Sequence, residues 1–305
     1  MKHLLKLGDL SSAEILEILD LADQLKYELK KGIPHPRLQG KTLGMIFTKS
    51  STRTRVSFET GMYQLGGQAL FLSDKDIQLG RGEPINDTAR VLSRYLDGIM
   101  IRTFKQSDVE DLASYGSIPI INGLTDYCHP CQVLADLMTI REIKGSFRGL
   151  KFGFIGDGNN MANSLIVGTI KMGIPCTIAC PEGYRPDAKI VEWGKSTGLL
   201  TITDDVEEAA RDADILYTDV WASMGQEGEA EIRRKAFRGY QINTKLLSLA
   251  HKDVIVLHCL PAHREEEISA EAFEAHASEI FEQAENRLHA QKAVMVLLME
   301  SKALR

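Results

Sequence analysis

Residues 50–55 read Ser-Ser-Thr-Arg-Thr-Arg and place hydroxyl and guanidinium groups side by side in one short segment. An apolar run at 43–47 precedes the segment and a helical pattern follows it, which predicts a strand end that leads into a helix N-terminus. Exposed N–H groups and the positive end of the helix dipole make such a terminus an anion site. Arg53 and Arg55 are unfavourable there unless a negative ligand lies beside them, so the segment predicts a phosphate site. The alternative is a Ser or Thr N-cap with two solvated arginines.

A second polar segment, Cys128–Gln132, is predicted to open a helix, with Pro130 near its first position. The arrangement favours His129 as a hydrogen-bond donor at the helix mouth and Gln132 as an amide contact one turn further in. The alternative is a histidine that only caps the loop. The Cys-x-x-Cys spacing also suggests redox chemistry or zinc binding. A thioredoxin-like motif would follow the first strand of a small domain, and zinc would need two more ligands, so neither is favoured.

The segment Gly156–Met161 follows a predicted strand and resembles a dinucleotide-binding turn only in part. Met161 stands where the last glycine should be, and Asp157 would bring negative charge towards a pyrophosphate. Asn159 and Asn160 therefore favour polar recognition of a small ligand. The alternative is a tight turn with an asparagine cap.

The segment Asp219–Gly225 carries polar side chains at the end of another predicted strand. Asp219 could pair with the ammonium group of a substrate, with Ser223 as a neighbouring hydrogen-bond partner. The alternative is an aspartate that only forms the turn, which is common at strand ends.

His258–Pro261 ends the last predicted strand. The proline is expected to hold Leu260 in an extended conformation and is compatible with a cis bond. His258 and Cys259 are adjacent along a strand, so their side chains should point to opposite faces. Cys259 is therefore favoured as a polar binder rather than as a nucleophile activated by a base.

Short apolar runs alternate with amphipathic stretches, which predicts an α/β fold with two doubly wound parallel sheets. The predicted strands lie at 43–47, 69–72, 98–101, 118–121, 152–155, 176–179, 200–203, 215–219 and 254–258. A capping box at Ser11–Glu14 predicts an N-terminal helix. The other predicted helices lie at 54–65, 86–95, 107–115, 131–144, 160–172, 187–196, 206–211, 230–237 and 285–302.

The glycine-rich segment 145–149 interrupts this pattern and is the expected domain boundary. We expect a first domain at 1–145, a second at 146–284, and a final helical stretch, 285–305, that packs back on the first domain. In open α/β sheets, ligands bind beyond the carboxyl ends of the strands. Two sheets with facing carboxyl edges would place an active site in the cleft between the domains.

The bulk composition argues against several classes of protein. The 305 residues are 44% hydrophobic and 26% charged, which is typical of a soluble globular protein with two ordinary domains. A net charge of −6 gives no support to nucleic-acid binding, and no apolar stretch reaches the roughly 18 residues of a membrane span. Five cysteines and an N-terminus without a signal-peptide core favour a reducing, cytoplasmic location.

Five ordered motifs resemble the aspartate/ornithine carbamoyltransferase family over nearly the whole chain. Ser51–Arg55, His129–Gln132 and His258–Pro261 together are similar to carbamoyltransferase motifs, and Asp219–Gly225 and Gly156–Asn160 are similar to those of ornithine-specific members. The resemblance implies transfer of the carbamoyl group of carbamoyl phosphate to the δ-amine of L-ornithine, which gives L-citrulline and phosphate. It implies no metal and no organic cofactor.

The resemblance also implies a role for each candidate residue. Carbamoyl phosphate would be bound by Ser51, Thr52, Arg53, Thr54, Gln78, Arg102, His129, Gln132, Cys259, Leu260 and Arg287. Ornithine would be bound by Asn160, Asp219, Ser223 and Met224, and the catalytic residues would be Arg102, His129, Cys259 and Asp219. Gln78 would reach the site of a neighbouring subunit in a homotrimer, and larger assemblies of trimers fit the same expectation.

Other functions stay open at this point. Within the family, the acceptor could be putrescine or acetylornithine, although putrescine lacks the carboxylate and the second charged end that the Asp219 and Ser223 group would read. Outside the family, a nicotinamide dehydrogenase is the nearest enzyme class, and Met161 and Asp157 argue against it. A non-catalytic phosphate-binding protein would have no need for so many converging polar groups.

Overall fold

The computed structural model describes residues 1–223, 225 and 227–300. The chain divides into two compact units, one formed by Met1–Met138 and the chain from Asn286 onward, the other by Thr139–Glu285. Both divisions fall inside long helices, whereas the sequence pattern suggested boundaries at 145/146 and 284/285. The glycines at 145–149 mark the end of a helix, and such a break need not coincide with the change from one unit to the other.

The first unit contains a parallel sheet of four strands in the order β2-β1-β3-β4. The strands are β1 (Thr42–Phe47), β2 (Gln68–Ser73), β3 (Gly98–Arg102) and β4 (Ile120–Leu124). The helices are α1 (Ser12–Lys30), α2 (Thr52–Gln64), α3 (Ile85–Leu92), α4 (Gln106–Tyr115) and the first part of α5 (Pro130–Lys144). Short 3-10 turns lie at Leu7–Asp9 and Gln78–Arg81.

Local sequence explains where the helices of the first unit begin. The Ser11 side chain accepts a hydrogen bond from the Glu14 N–H, and the Glu14 carboxylate accepts one from the Ser11 N–H, so the predicted capping box is confirmed. Ser51 caps α2 by accepting a hydrogen bond from the Thr54 N–H at 3.2 Å. β3 is buried along its whole length, as expected of a central strand in a parallel sheet.

The second unit contains a parallel sheet of five strands in the order β7-β6-β5-β8-β9. The strands are β5 (Phe152–Ile155), β6 (Cys176–Ala179), β7 (Leu200–Thr203), β8 (Ile215–Thr218) and β9 (Ile255–His258). The helices are α6 (Asn160–Lys171), α7 (Ala188–Ser196), α8 (Val206–Ala210), α9 (Ala230–Ala236), α10 (Thr244–Leu247) and α11 (Ala270–Ala275). The last helix, α12 (Ala277–Met299), begins in this unit and continues into the first.

The prediction of two parallel-sheet α/β domains is confirmed, and most predicted elements lie within a few residues of the observed ones. β4 begins at Ile120, later than predicted, because Pro119 has no N–H for a neighbouring strand. The last helix begins at Ala277, earlier than the predicted 285. The sequence pattern did not reveal its first turns, because they lack a clear apolar stripe. α10 and α11 were not predicted from the sequence. None of the described helices is both long and apolar enough to cross a membrane.

Gly153 offers a test of the packing between β5 and α8. A Cβ atom at this position would overlap the carbonyl oxygen of Ala209 and lie 2.9 Å from a methyl group of Leu216. We expect Gly153→Ala to lower the free energy of unfolding by about 1–3 kcal/mol, the usual effect of overpacking. Denaturant unfolding measures the change.

Gly8 provides the matched control, because a Cβ atom there meets nothing within 4 Å. Gly8→Ala should change the free energy of unfolding by no more than about 0.5 kcal/mol. Equal destabilisation by the two substitutions would contradict the packing argument.

Candidate active site

The candidate residues of the first unit lie at the carboxyl ends of its central strands. Ser51 follows β1 and opens α2, Arg102 is the last residue of β3, and His129 follows β4. β1 and β3 are neighbours in the sheet although β2 separates them along the chain. Such a crossover point is where open α/β sheets bind their ligands.

The N-terminus of α2 has a defined polar geometry. The Ser51 hydroxyl donates to the Thr54 hydroxyl at 3.1 Å, in addition to accepting from the Thr54 N–H. Thr54 is buried, Arg53 is half-buried and Thr52 is exposed. The N-cap alternative is thus correct for Ser51, and it is compatible with an anion site because the cap satisfies only part of the helix terminus.

Arg55 does not need a bound anion, unlike the expectation from the sequence. Its Nε donates to Glu59 at 3.0 Å, one turn further along the same helix. Its guanidinium group also stacks on the Phe71 ring, 3.8 Å from the ring centroid. These contacts stabilise the positive charge of Arg55 without a ligand. Arg53 is therefore the arginine of this turn that a phosphate would bind.

Arg287 contacts two other candidate residues of the first unit, Thr54 and Gln132. Its Nη1 donates to the Gln132 side-chain oxygen at 2.7 Å, and its Nη2 donates to the Thr54 hydroxyl at 3.2 Å. Its Nε donates to Gln291 at 3.0 Å, and Gln132 in turn donates to Asp136 at 2.8 Å. All three acceptors on Arg287 are neutral, so these bonds orient the guanidinium group without cancelling its charge.

His129 lies in a strongly positive environment. Burial lowers the pKa of His129 well below its ordinary value, and the charges of Arg287, Arg102 and Arg53 lower it further. The imidazole is therefore neutral at physiological pH and can donate one hydrogen bond. Three positive charges therefore act on one buried, uncharged ring.

The Cys-x-x-Cys pair shows no sign of redox or metal chemistry among the described residues. Burial raises the pKa of both Cys128 and Cys131 to about 12, so both thiols stay protonated and unreactive. The Cys131 thiol donates to the Asn122 carbonyl at 3.3 Å. Cys128 also lies beside Asn122, and its thiol accepts from the Asn122 side chain at 3.3 Å.

In the second unit, Asp219 is the centre of a hydrogen-bond cluster. Its Oδ1 accepts from the Cys259 thiol at 3.0 Å and from the Val220 N–H at 2.8 Å. Its Oδ2 accepts from the Asn159 side chain at 2.9 Å. A carboxylate has about four lone-pair positions, so one position on Oδ2 stays available for a further donor. Cys259 is thus a polar partner of Asp219.

Asn159 and Asn160 have different places at the start of α6. Asn159 is the N-cap and accepts from the N–H groups of Met161 and Ala162, at 2.8 Å and 3.3 Å. Asn160 is the first helical residue and is half-buried. The asparagine-cap alternative is therefore correct for Asn159. The side-chain nitrogen of Asn159 also donates to the Asp219 carboxylate.

The Gly156–Met161 turn packs closely against other parts of the protein. A Cβ atom on Gly158 would overlap the backbone of Tyr184 and Arg185. Asp157 is buried and accepts from Arg233 at 2.8 Å, and the same Arg233 nitrogen donates to the Trp221 carbonyl at 2.9 Å. Gly158 thus allows a close backbone contact, and Asp157 forms an internal ion pair with Arg233.

His258 and Cys259 contact different partners, as expected from strand geometry. The His258 Nε2 lies 3.0 Å from the buried carboxylate of Glu267, and its Nδ1 accepts from the Leu260 N–H at 2.8 Å. The Leu260–Pro261 bond is cis. Leu260 is not extended, contrary to the expectation, and its φ of 57° is left-handed.

Asp219, His258 and Cys259 offer ligand atoms within 4.8 Å of one another, and a metal ion could in principle use them. The hydrogen bonds argue against it, because both nitrogens of His258 are engaged and the Cys259 thiol already donates to Asp219. The group is better described as a hydrogen-bonded cluster.

The remaining candidates are less well placed or lie outside the description. Gln78 is exposed in a short 3-10 turn of the first unit, and Ser223 is half-buried in the loop after β8. Met224 lies outside the described residues. Gln291 and Arg233 were not predicted from the sequence. For Gln291 a signal existed, because it stands one helical turn after Arg287 and can face the same partner.

Each of the two units is a parallel-sheet α/β domain with its candidate residues at or after the ends of strands. The carbamoyl-P binding domain model of the aspartate/ornithine carbamoyltransferases matches residues 2–142, and the Asp/Orn binding domain model matches residues 148–298. The chain belongs to the aspartate/ornithine carbamoyltransferase family.

Individual relatives agree with this assignment. The ornithine carbamoyltransferase of Oceanobacillus iheyensis is 57% identical over 303 residues, which cover 98% of this chain and 94% of the relative. That of Pelobacter propionicus is 55% identical, with 98% of each chain covered. The solved structure of the Pyrococcus furiosus ornithine carbamoyltransferase is 52% identical and superposes with a TM-score of 0.93, covering 98% of this chain and 97% of the other.

The buried pair of Asp157 and Arg233 yields a prediction of pH dependence. Burial raises the pKa of Asp157 to about 6, Arg233 opposes the rise, and Asp219 and Glu229 add to it. Because the folded state binds this proton more tightly than the unfolded chain does, stability from the group is lost as the pH rises through about 6. The asparagine of Asp157→Asn cannot ionise. We therefore expect the free energy of unfolding of the variant, relative to that of the wild type, to rise by about 1 kcal/mol between pH 5 and pH 7.

Urea unfolding of both proteins at the two pH values measures this difference. The prediction is wrong if the wild type gains stability relative to the variant over that range. Asp187→Asn is a suitable control, because Asp187 caps α7 near the surface and accepts from the N–H groups of Lys189 and Ile190.

Proposed function

We propose that this protein transfers the carbamoyl group of carbamoyl phosphate to the δ-amine of L-ornithine, which gives L-citrulline and phosphate. The observation that carries the proposal is the contact of Arg287 with both Thr54 and Gln132 beside the N-terminus of α2. Through these contacts, one guanidinium group bonds both to the first turn of α2, where a phosphate would bind, and to the side-chain amide of Gln132. The family membership and the ornithine-specific names of the relatives support the choice of substrates.

Carbamoyl phosphate is assigned to the first unit. Ser51, Thr52, Arg53 and Thr54 would bind its phosphate at the start of α2, where N–H groups, hydroxyls and a guanidinium group meet. The carbamoyl end would be held by Arg102, His129, Gln132 and Arg287. The proposal extends this binding domain over 1–145 with 285–305.

Ornithine is assigned to the second unit, over 146–284. The δ-amine or the α-ammonium group can use the remaining acceptor position of Asp219, and Asn160, Ser223 and Met224 would contact the amino-acid end. Cys259 and the backbone of Leu260 would complete the binding of carbamoyl phosphate. Gln78 would act in the site of a neighbouring subunit, which requires a homotrimer or a larger assembly of trimers.

The reaction needs a neutral amine. A free δ-amine has a pKa close to that of lysine, about 10.4, and desolvation together with the loss of its proton to solvent would make it nucleophilic. Its nitrogen attacks the carbonyl carbon, and the bond from that carbon to the phosphate oxygen breaks. The attack leaves one extra proton on the nitrogen. This proton passes to the departing phosphate, which also takes the electron pair of the broken bond.

Three side chains are suited to stabilise the negative charge that grows on the carbonyl oxygen. The Thr54 hydroxyl already accepts from Ser51 and from Arg287, so its own hydrogen is directed to another acceptor. His129 is neutral and can donate its N–H, and Arg102 supplies a positive charge. Donors that are fixed before the reaction lower its barrier most effectively. No step of this scheme requires a metal or an organic cofactor.

The same chemistry fits arginine biosynthesis, or arginine catabolism when it runs in reverse, and we place it in the cytoplasm. Carbamoyl transfer from carbamoyl phosphate to L-ornithine, putrescine, acetylornithine and aspartate, assayed in parallel as ureido product, tests the acceptor. Product from ornithine alone supports the proposal. Strong product from another amine would keep the carbamoyl phosphate site and reject the ornithine assignment.

Arg53→Ala tests the phosphate site. Loss of a charged donor at the reacting group typically lowers the rate by about 10²–10³, and we expect a fall in kcat/KM for carbamoyl phosphate of this size with an intact fold. Steady-state kinetics at saturating ornithine and circular dichroism measure the two quantities.

Arg55→Ala is the matched control in the same helical turn. Its guanidinium group is engaged by Glu59 and Phe71, so its loss should leave kcat/KM within a few-fold of the wild type. Near-normal activity of Arg53→Ala, or equal losses in both variants, would reject Arg53 as the phosphate-binding arginine.

A further inference from the structure

Gln291 is a fully buried polar residue of α12 to which neither the sequence nor the reaction scheme assigns a role. Its side-chain oxygen accepts from the Arg287 Nε at 3.0 Å, and its side-chain nitrogen donates to the Ser57 hydroxyl at 2.6 Å. Arg287 is one turn earlier on the same helix, whereas Ser57 lies on α2. Gln291 thus connects the helix of Arg287 with the helix that begins at the phosphate site.

The connection continues to Arg53. The Ser57 hydroxyl donates to the Arg53 carbonyl at 2.6 Å, with a longer approach to the Thr54 carbonyl at 3.2 Å. One unbroken series of hydrogen bonds therefore runs from the Arg287 guanidinium group through Gln291 and Ser57 to the backbone of Arg53. Neighbouring bonds in such a series strengthen one another in a buried environment.

The chemistry of the partners fixes the direction of every bond in the series. An arginine Nε can only donate, so it requires the oxygen of the Gln291 amide. The amide nitrogen then faces Ser57, whose hydroxyl hydrogen is used by the Arg53 carbonyl, so Ser57 must accept. Gln291 has a single orientation as a result, and so does the plane of the Arg287 guanidinium group.

We infer that Gln291 is a positioning residue for carbamoyl phosphate binding, which acts by holding the Arg287 side chain in register with the first turn of α2. The inference rests on the proposed function, and it concerns the phosphate-binding groups alone. An arginine side chain has many rotamers, and binding a ligand with an unrestrained arginine loses that freedom. With Nε held by Gln291, the Nη atoms are already directed at Thr54 and Gln132 before the ligand arrives.

A second polar contact between the same two helices provides the control. Lys292, next to Gln291 on α12, is fully buried and donates to the Gln64 side chain at 3.0 Å, at the far end of α2. The Lys292 Nζ also lies 3.0 Å from the His35 Nε2. This contact joins α12 to α2 as Gln291 does, but it touches neither Arg287 nor the first turn of α2.

The test compares Gln291→Leu with Gln64→Leu in the full-length protein. Equilibrium binding of inorganic phosphate and of a non-hydrolysable phosphonate analogue of carbamoyl phosphate gives the affinity, and thermal unfolding gives the stability. We expect Gln291→Leu to weaken analogue binding about tenfold, and to raise KM for carbamoyl phosphate while kcat stays within a few-fold. Gln64→Leu should keep the affinity within twofold of the wild type, whatever its effect on Tm.

Ser57→Ala removes the next member of the series and tests its continuity. If Gln291 and Ser57 act through one series, the double variant should bind the analogue about as weakly as Gln291→Leu alone, because their effects are coupled. The inference is rejected if Gln291→Leu binds the analogue like the wild type, if Gln64→Leu loses as much affinity, or if the two losses simply add. A wild-type protein that does not bind the analogue would instead reject the proposed function.

Discussion

The first unit depends on one electrostatic constraint, namely that positive guanidinium groups are gathered around a buried imidazole that stays neutral. Burial and the charges of Arg287, Arg102 and Arg53 all lower the pKa of His129. Buried charge is unfavourable unless polar partners or an opposite charge compensate it. Arg287 donates to the neutral acceptors of Thr54, Gln132 and Gln291, which orient its guanidinium group.

The second unit uses the same kind of sheet with the opposite charge. Its crossover point lies between β5 and β8, as that of the first unit lies between β1 and β3. Here the buried groups at the strand ends are the carboxylates of Asp157 and Asp219. Arg233 compensates Asp157, whereas the donors on Asp219 are a thiol, an amide and a backbone N–H. One architecture thus supplies two chemically opposite sites, and the difference lies in a few side chains after each strand.

The sequence was most informative where local chemistry decides the structure. Alternating apolar runs predicted both parallel sheets, and the Ser51 segment predicted a capped helix terminus suited to phosphate, because these features depend on neighbouring residues. It failed where particular side-chain contacts or backbone conformations decide. Arg55 looked like a phosphate ligand until Glu59 and Phe71 accounted for its charge. Leu260 is left-handed and donates its N–H to the His258 side chain, which a rule about residues before proline does not predict.

The place of Arg287 in the chain has a consequence for biosynthesis on the ribosome. Thr54 and Gln132 belong to the first part of the chain to be made, but their common partner lies 155 residues after Gln132. A nascent chain that has completed all four strands of the first sheet still lacks this arginine and Gln291. The anion site can therefore be assembled only after the whole second unit has been translated. A half-made polypeptide would not sequester a labile substrate, and a gene fragment that encodes Met1–Met138 would not carry a complete site.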